Sequence, residues 1–410
     1  MLPRLDDFIH IILNQTVLTG DPRVLDFRPH VRRLDVEQPM NEQQLETLGR
    51  ALPTLQNLEH LRWDVWRLAD SGVQWHDTLV FLHRELPKLR SLSLIMAQNE
   101  IVLVVSLSRL QELEIDFDGV TSDEIGDDIE LPNTLVELVR GASNIESLSL
   151  SFEEDYERGA APWASLSLFS ALSSDTFPNL RRLSATSSRF GPNDEDFQQF
   201  IRKHGKLEKI VLNTGAYDPN WWDGADLPPM HFATQFVEEL MPSIRHFGGP
   251  GCFVGPLLNS NLSSQLEVLE LIEPACEEFG TVSQLLQEIG NSITPELPCL
   301  RELAISIDAY KDHDSNISEW GKVLSALSRV ADRMQVLEEL LINTWQEPSP
   351  DELEELFELL NRLTRLRRLA VHAAASDSPS LRDELQALYE RTKICYPQLQ
   401  IVNNSQPASF

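Results

Sequence analysis

The sequence predicts an α/β repeat solenoid, an irregular horseshoe with a parallel β-sheet on its concave face and helices on its convex face. Two observations support this prediction: one leucine-containing phrase recurs along the 410 residues, and segments with helical spacing lie between its copies. Clear copies are LPKLRSLSLI at 86, LPCLRELAIS at 297 and LTRLRRLAVH at 363. Together with weaker copies such as PHVRRLDVE at 29, they indicate about thirteen repeats.

The recurring phrase has the form LxxLxL, and its last two apolar residues alternate with polar ones as in a half-buried strand. In the copy that contains Leu89, Leu92 and Leu94, the first leucine precedes the strand and the other two point into a shared core. A single repeat cannot bury these residues, so neighbouring copies must stack. A doubly wound globular sheet is the alternative fold, but it would not repeat the same phrase.

Helical segments alternate with the predicted strands, which favours parallel pairing. DEDFQQFIRKHG (194–205) has acids in its first turn and bases in its last, and PDELEELFELLNRL (350–363) begins with proline and acids. The copies near 89–110 and 244–266 are too close for a full helix, so we expect extended or 3₁₀ connections there. The glycines of FGGPGCFVGP (247–256) are expected to form an irregular turn.

The formal net charge is −30, from 64 acidic and 34 basic side chains. This field repels nucleic acid phosphates and anionic membranes and favours a basic protein partner, although acidity also serves solubility alone. The four cysteines form no CxxC pair, and the N-terminus lacks the basic start of a signal peptide. No segment has the roughly 18 apolar residues that cross a bilayer. We therefore expect a cytoplasmic or nuclear protein.

Catalytic and cofactor motifs are missing from the sequence. It contains no GxxxxGK[ST], HExxH or GxSxG, and its carboxylates are too numerous for one acid and base pair to be singled out. The prediction is therefore no enzyme, no cofactor, no metal and no catalytic residue. An unrecognised active site is the alternative left open.

The repeated phrase resembles that of leucine-rich repeat proteins, in the degenerate form of the repeat regions of fungal F-box proteins. The resemblance covers about 22–404, and LPRLDDFIHIIL (2–13) resembles the opening of an F-box. It implies a ubiquitin-ligase substrate receptor that holds a protein on its repeats and docks a cullin-ligase adaptor. The first repeat begins near Val31, which leaves too little chain for a complete F-box. Residues 1–21 are therefore a capping helix or an F-box remnant, 22–404 the repeats, and 405–410 a tail.

The partner is predicted to bind on the concave face and on one rim. Positions two, four and six after the first leucine face away from the core, which places Glu112, Glu114 and Asp116 on that face. Loops after the carboxyl ends of parallel strands gather on one rim, and here they are acidic and rich in aromatic residues. The rim candidates are Asp118, Tyr156, Trp221, Trp222, Asp223, Asp226, Tyr310 and Trp345.

Each set of candidates has a structural alternative. Acids near helix starts also complement the helix dipole, and the indoles of Trp221 and Trp222 could instead fold inward to cover the core. For function, the sequence favours a non-catalytic protein-binding module of the substrate-receptor type. The alternative is a free-standing scaffold or inhibitor that binds a basic protein and has no link to a ubiquitin ligase.

Overall fold

A computed structural model of the chain describes residues 28–36, 48, 50–64, 84–96, 107–117, 133–152, 165–186, 195–213, 232–249, 251–272, 282–291, 297–307, 319–344, 348–373, 390–391 and 399–402. The chain divides into two compact units, Met1–His204 and Gly205–Phe410. Both are built from repeated strands and helices.

Unit 1 contains a parallel sheet whose strands pair in the order in which they occur along the chain. Its strands are β1 (Arg33–Val36), β2 (His60–Asp64), β3 (Ser91–Met96), β4 (Glu112–Phe117), β5 (Ser147–Phe152) and β6 (Arg182–Thr186). Its described helices are α1 (Asn133–Gly141), α2 (Ser165–Leu172) and α3 (Glu195–Lys203), with 3₁₀ turns at Arg28–His30 and Leu52–Thr54.

Unit 2 repeats this plan, again with parallel pairing in chain order. Its strands are β7 (Lys209–Asn213), β8 (His246–Gly249), β9 (Val268–Ile272), β10 (Glu302–Ile307), β11 (Glu339–Thr344), β12 (Arg368–Ala373) and β13 (Gln400–Val402). Its described helices are α4 (Thr234–Leu240), α5 (Gly251–Leu258), α6 (Val282–Asn291), α7 (Glu319–Val330) and α8 (Pro350–Leu360), with 3₁₀ turns at Asn261–Ser264 and Ala331–Arg333.

The leucines of the repeated phrase form the core of each unit, as predicted. Leu92 and Leu94 are 1% and 0% exposed, and Leu89, which precedes the strand, is 4% exposed. Leu92 is the register partner of Leu113 on the next strand, so equivalent apolar residues stack side by side from repeat to repeat. Stacking is what removes these side chains from water, and this burial is the main stabilising term of such folds.

Within each unit, most neighbouring strands are joined by the same backbone arrangement. The carbonyl of Arg32, just before β1, accepts hydrogen bonds from Glu59 N at 2.8 Å and His60 N at 2.9 Å, and the carbonyl of Arg301 does the same for Glu338 and Glu339. These repeated bonds fix the register, which in turn places side chains with the same position in the phrase in continuous rows.

Two predicted helices are observed with the expected end residues. Helix α3 has Glu195 and Asp196 in its first turn and Arg202 and Lys203 in its last, which complements its dipole. Helix α8 begins after Ser349 with a capping box.

The structure corrects the expectation for 244–266. Phe247, Gly248 and Gly249 belong to strand β8 rather than to an irregular turn, and an eight-residue α-helix, α5, follows it. The 3₁₀ turn at Asn261–Ser264 agrees with the prediction, but the expected absence of a helix was wrong. A helix fits because only residue 250 separates the strand from α5.

Behind the strands of unit 1, α2 and α3 pack through an aromatic cluster that ends at a buried histidine. His204 is 3% exposed, and its Nε2 accepts a hydrogen bond from the backbone N–H of Phe177 at 2.9 Å. Its Nδ1 then carries the hydrogen and donates to the carbonyl of Phe200 at 2.7 Å. Burial lowers the pKa of His204, the Phe200 carbonyl partly opposes this, and nearby Lys203 lowers the pKa further. The imidazole is therefore a neutral structural group.

The α/β class and the repeated, all-parallel sheet are confirmed within each unit. The number of repeats, the convex placement of the helices and the segment boundaries stay predictions, and 1–27 and 403–410 lie outside the described residues. Among the helices that the structure describes, none is long and apolar enough to cross a bilayer.

Candidate functional site

The candidate site lies on the sheet face opposite the buried leucines, called here the open face. On β7 to β12 of unit 2 the residue that begins each strand belongs to the first row of this face, and neighbouring members are register partners. The first row is Lys209, His246, Val268, Glu302, Glu339 and Arg368. The second row, two residues further along each strand, is Val211, Gly248, Glu270, Ala304, Leu341 and Ala370. Apart from Leu341, the second row is buried beneath its neighbours.

Glu270 in the second row has a buried carboxyl group whose position is determined by two neighbours. It is only 6% exposed, and its Oε1 is bonded to Nε2 of His246. Gly248, its register partner on β8, makes room for it: a Cβ at position 248 would lie 3.0 Å from both Cβ and Oε2 of Glu270. An unpaired buried carboxyl group would be costly, and His246 supplies the partner that offsets this cost. The missing Cβ at Gly248 supplies the space that the Glu270 side chain occupies.

Glu302 in the first row lies between Val268 and Glu339. Glu339 already has a cation, since Arg368 Nη1 lies 3.1 Å from its Oε2. Among the described residues, no hydrogen bond or ion pair engages the carboxylate of Glu302. Its side chain is half-buried next to a second carboxylate and has no ion-pair partner in the described part of the chain.

Electrostatics confirm that this position is unfavourable for a negative charge. Burial raises the pKa of Glu302 above its usual value, and Glu339 raises it further. Glu270 also raises the pKa, while His246 and Lys209 lower it. A cation placed next to Glu302 would relieve these costs, because an opposite charge favours the ionised form of a carboxyl group. The arrangement can therefore receive a guanidinium or ammonium group from outside the chain.

The open face of unit 1 has an internal ion pair at one of the predicted contact residues. Glu112 on β4 and Arg182 on β6 lie on either side of Ser147 on β5, and Arg182 Nη2 is 2.7 Å from Glu112 Oε1. The small side chain of Ser147 lets this pair form across it. Glu112 is therefore engaged within the chain rather than left open for a partner.

The other two predicted acids on this face differ in exposure. Glu114 is exposed in the second row, and Asp116 is half-buried in the third. Their register partners on β5 are Ser149 and Ser151, so a flat strip of small residues lies beside them. Of the three predicted acids, Glu114 is the most accessible to a partner.

The rim candidates all lie outside the described residues, so their arrangement stays a prediction. These are Asp118, Tyr156, Trp221, Trp222, Asp223, Asp226, Tyr310 and Trp345.

The position rule of the repeated phrase also places Glu270, Glu302 and Glu339 on this face, because they stand two or four residues after the first leucine of their copies, but nothing in the sequence singled out these acids or His246. The signal that could have found two of the acids is that Glu302 and Glu339 occupy the same position in consecutive copies, RELAI and EELLI, whereas Glu270 lies two residues further along its own copy. Nothing local indicated that His246 and Glu270, 24 residues apart, would meet.

Metal-binding groups were also sought in the described part of the chain. No cluster of three or more histidine, cysteine, aspartate or glutamate side chains there could hold a metal ion. Cys299, whose thiol is free, lies in the turn before β10 and is half-buried.

Comparisons with known proteins gave no family for this chain. No family model matches it, and no curated protein matches it. Among solved structures, a Bacteroides fragilis protein is similar with 12% identity and a TM-score of 0.35, over 86% of this chain and 75% of that one. The complex of Rad7 and Elc1 from yeast is similar with 13% identity and a TM-score of 0.47, over 98% of this chain and 89% of that one. Similarities at these values carry no argument about function.

Proposed function

We propose that this chain is a non-catalytic protein-binding module that captures a basic segment of another protein on its open face. The observation that carries the proposal is Glu302, a half-buried carboxylate with a raised pKa and no ion-pair partner among the described residues. An arginine or lysine of a partner would supply that cation through a charge-assisted hydrogen bond, which is stronger than a neutral one.

The surroundings of Glu302 form a preorganised binding site, which favours a specific contact over a diffuse ionic one. Glu339 and Arg368 flank it on one side, and the pair of His246 and Glu270 holds the other. Side chains restrained by such bonds lose little freedom on binding, so less of the binding free energy is spent on ordering them. The acidic, aromatic rim that includes Trp221 and Trp222 would extend the same contact surface.

The proposal is tested by capture of proteins from cell extract with matched variants. Glu302→Lys reverses the charge on the open face, and Glu338→Lys makes the same change at the strand's amino end, where Glu338 lies 3.6 Å from Arg367. We expect quantitative mass spectrometry to find at least one basic protein captured by the wild type and by Glu338→Lys but not by Glu302→Lys. Identical sets of captured proteins for the two variants would contradict the proposal.

The link to a ubiquitin ligase is a further part of the proposal and depends on the F-box resemblance of residues 2–13. In this form the chain is a substrate receptor, cytoplasmic or nuclear, and the N-terminal segment docks a cullin-ligase adaptor. The test is a pull-down with the full chain and with a chain that lacks residues 1–21. If neither recovers an adaptor while the basic partner is still captured, the free-standing scaffold is the better description.

A further inference from the structure

The amino-terminal edge of each sheet carries a ladder of alternating charges, formed by the residue just before each strand. In unit 2 the ladder is Glu208, Arg245, Glu267, Arg301, Glu338 and Arg367. In unit 1 it is Arg32, Glu59, Arg90, Gln111, Glu146 and Arg181. In unit 2 acids and bases alternate throughout these rungs, whereas in unit 1 the neutral Gln111 stands between Arg90 and Glu146 and interrupts the alternation.

Where the alternation holds, neighbouring rungs pair with each other. Arg245 Nη1 lies 2.8 Å from Glu267, and Arg367 Nη1 lies 3.6 Å from Glu338. In unit 1 Arg32 lies 3.7 Å from Glu59. The charges of these rungs are therefore compensated within the chain.

Arg90 is a basic rung with no acidic neighbour left to pair with it. One neighbour, Glu59, is paired with Arg32, and the other is the neutral Gln111, whose amide instead lies 3.5 Å from Glu146. Within the described part of the chain, no ion pair or hydrogen bond engages the guanidinium of Arg90, and its side chain is exposed. Two residues earlier, Lys88 donates a hydrogen bond to the neutral side chain of Asn57, which is its only bonded partner among the described residues.

These two cations line a groove of about 500 Å³ on the amino-terminal edge of unit 1. Its charged lining residues are Lys88, Arg90, Arg109 and Glu146, and of the three cations Lys88 and Arg90 have no ion-pair partner among the described residues. The remaining polar lining consists of side chains that can both donate and accept hydrogen bonds: Ser108, Gln111, Asn144 and Asn179. In a chain with a net charge of −30, this is a local basic site.

We propose that this groove binds an extended acidic peptide segment of a partner protein. Lys88 and Arg90 lie two residues apart, on either side of Leu89, and both line the groove. Alternate residues of an extended peptide lie about 6.6 Å apart on one side, so glutamates at i and i+2 can reach two of these cations. A short acidic peptide is favoured over nucleic acid because it carries fewer negative charges and so meets less repulsion from the field of the whole chain.

The probe is a fluorescent, end-capped peptide in which glutamate alternates with serine, and glutamine replaces glutamate in the control peptide. Binding is measured by anisotropy at about 150 mM salt, where charges beyond about 8 Å are largely screened. We expect the glutamate peptide to bind the full chain and the glutamine peptide to bind about tenfold more weakly.

The variants are matched by position in the repeat. Lys88→Glu with Arg90→Glu is expected to weaken binding about tenfold or more, whereas Arg365→Glu with Arg367→Glu, the same positions around Leu366, leaves it unchanged. Lys88→Gln with Arg90→Gln tests the same idea should the reversed charges disturb folding. Equal affinity for the two peptides, or equal losses in the two paired variants, would overturn the proposal. The proposal would also be overturned if the wild type self-associated in sedimentation measurements and the Lys88 and Arg90 variants did not.

Discussion

Replacing His204 by phenylalanine tests the neutral, buried histidine that ends the aromatic cluster of unit 1. The histidine ring stacks on Phe177 with centroids 5.7 Å apart and lies 4.4 Å from Phe200. Phenylalanine keeps the ring contacts, but it removes the acceptor of the Phe177 N–H bond and the donor to the Phe200 carbonyl. The change therefore isolates the polar role of the imidazole.

The expected magnitude depends on pH in a defined direction. At pH 7.5 the variant leaves a buried N–H without an acceptor, which costs about 1–3 kcal/mol. The pKa of His204 is lowered from 6.5 in the folded chain, so below about pH 6.5 the unfolded chain binds a proton that the folded one does not. Stability of the wild type is therefore lost as pH falls, by about 1.4 kcal/mol at pH 5.5 if the folded imidazole stays neutral.

The variant has no imidazole at position 204, so it escapes this loss. The assay is urea unfolding of both proteins at pH 7.5 and 5.5, with hydrogen exchange at the Phe177 amide as a local readout for unit 1. We expect the gap in unfolding free energy between wild type and variant to shrink by about 1 kcal/mol or more at the lower pH. A gap that is the same at both pH values, or a Phe177 amide equally protected in the two proteins, would refute the reasoning.

Three further changes give measurable outcomes. Because the pKa of Glu302 is raised from 4.5, its ionisation destabilises the folded chain as pH rises past that value. Glu302→Gln is therefore expected to melt above the wild type at pH 7.5, with a difference that vanishes near pH 4. Gly248→Ala places a Cβ 3.0 Å from Glu270 and is expected to cost about 1–3 kcal/mol in thermal unfolding. Ser349→Ala removes the acceptor for Glu352 N at 3.4 Å and should cost about 1 kcal/mol, whereas Ser349→Asp, which keeps a cap, should not.

Much of the fold follows from local sequence patterns. The alternation in the phrase around Leu92 and Leu94 determined which strand residues are buried, because successive strand side chains point to opposite faces. The acids and bases of the segment at 194–205 likewise indicated both ends of α3. These predictions succeeded because each depends on residues within one turn or one strand.

The helix α5 was missed for a physical reason. The spacing of the copies suggested that the short repeat around 244–266 had no room for a helix. However, only one residue separates the four-residue strand β8 from α5. The length of the connection between a strand and the next helix depends on how those elements pack, and the spacing of the copies in the sequence does not reveal this packing.

The sequence by itself therefore determined the repeated α/β architecture, the buried leucines and the polar character of the open face. Only the tertiary structure decided which charges neutralise each other. Glu112 finds Arg182, 70 residues away, while Glu302 and Arg90 find no ion-pair partner in the described part of the chain. The reason is that charge pairing depends on strand register and on side-chain size at the intervening positions, such as Ser147 and Gly248, and repeats of unequal length conceal both in the linear sequence.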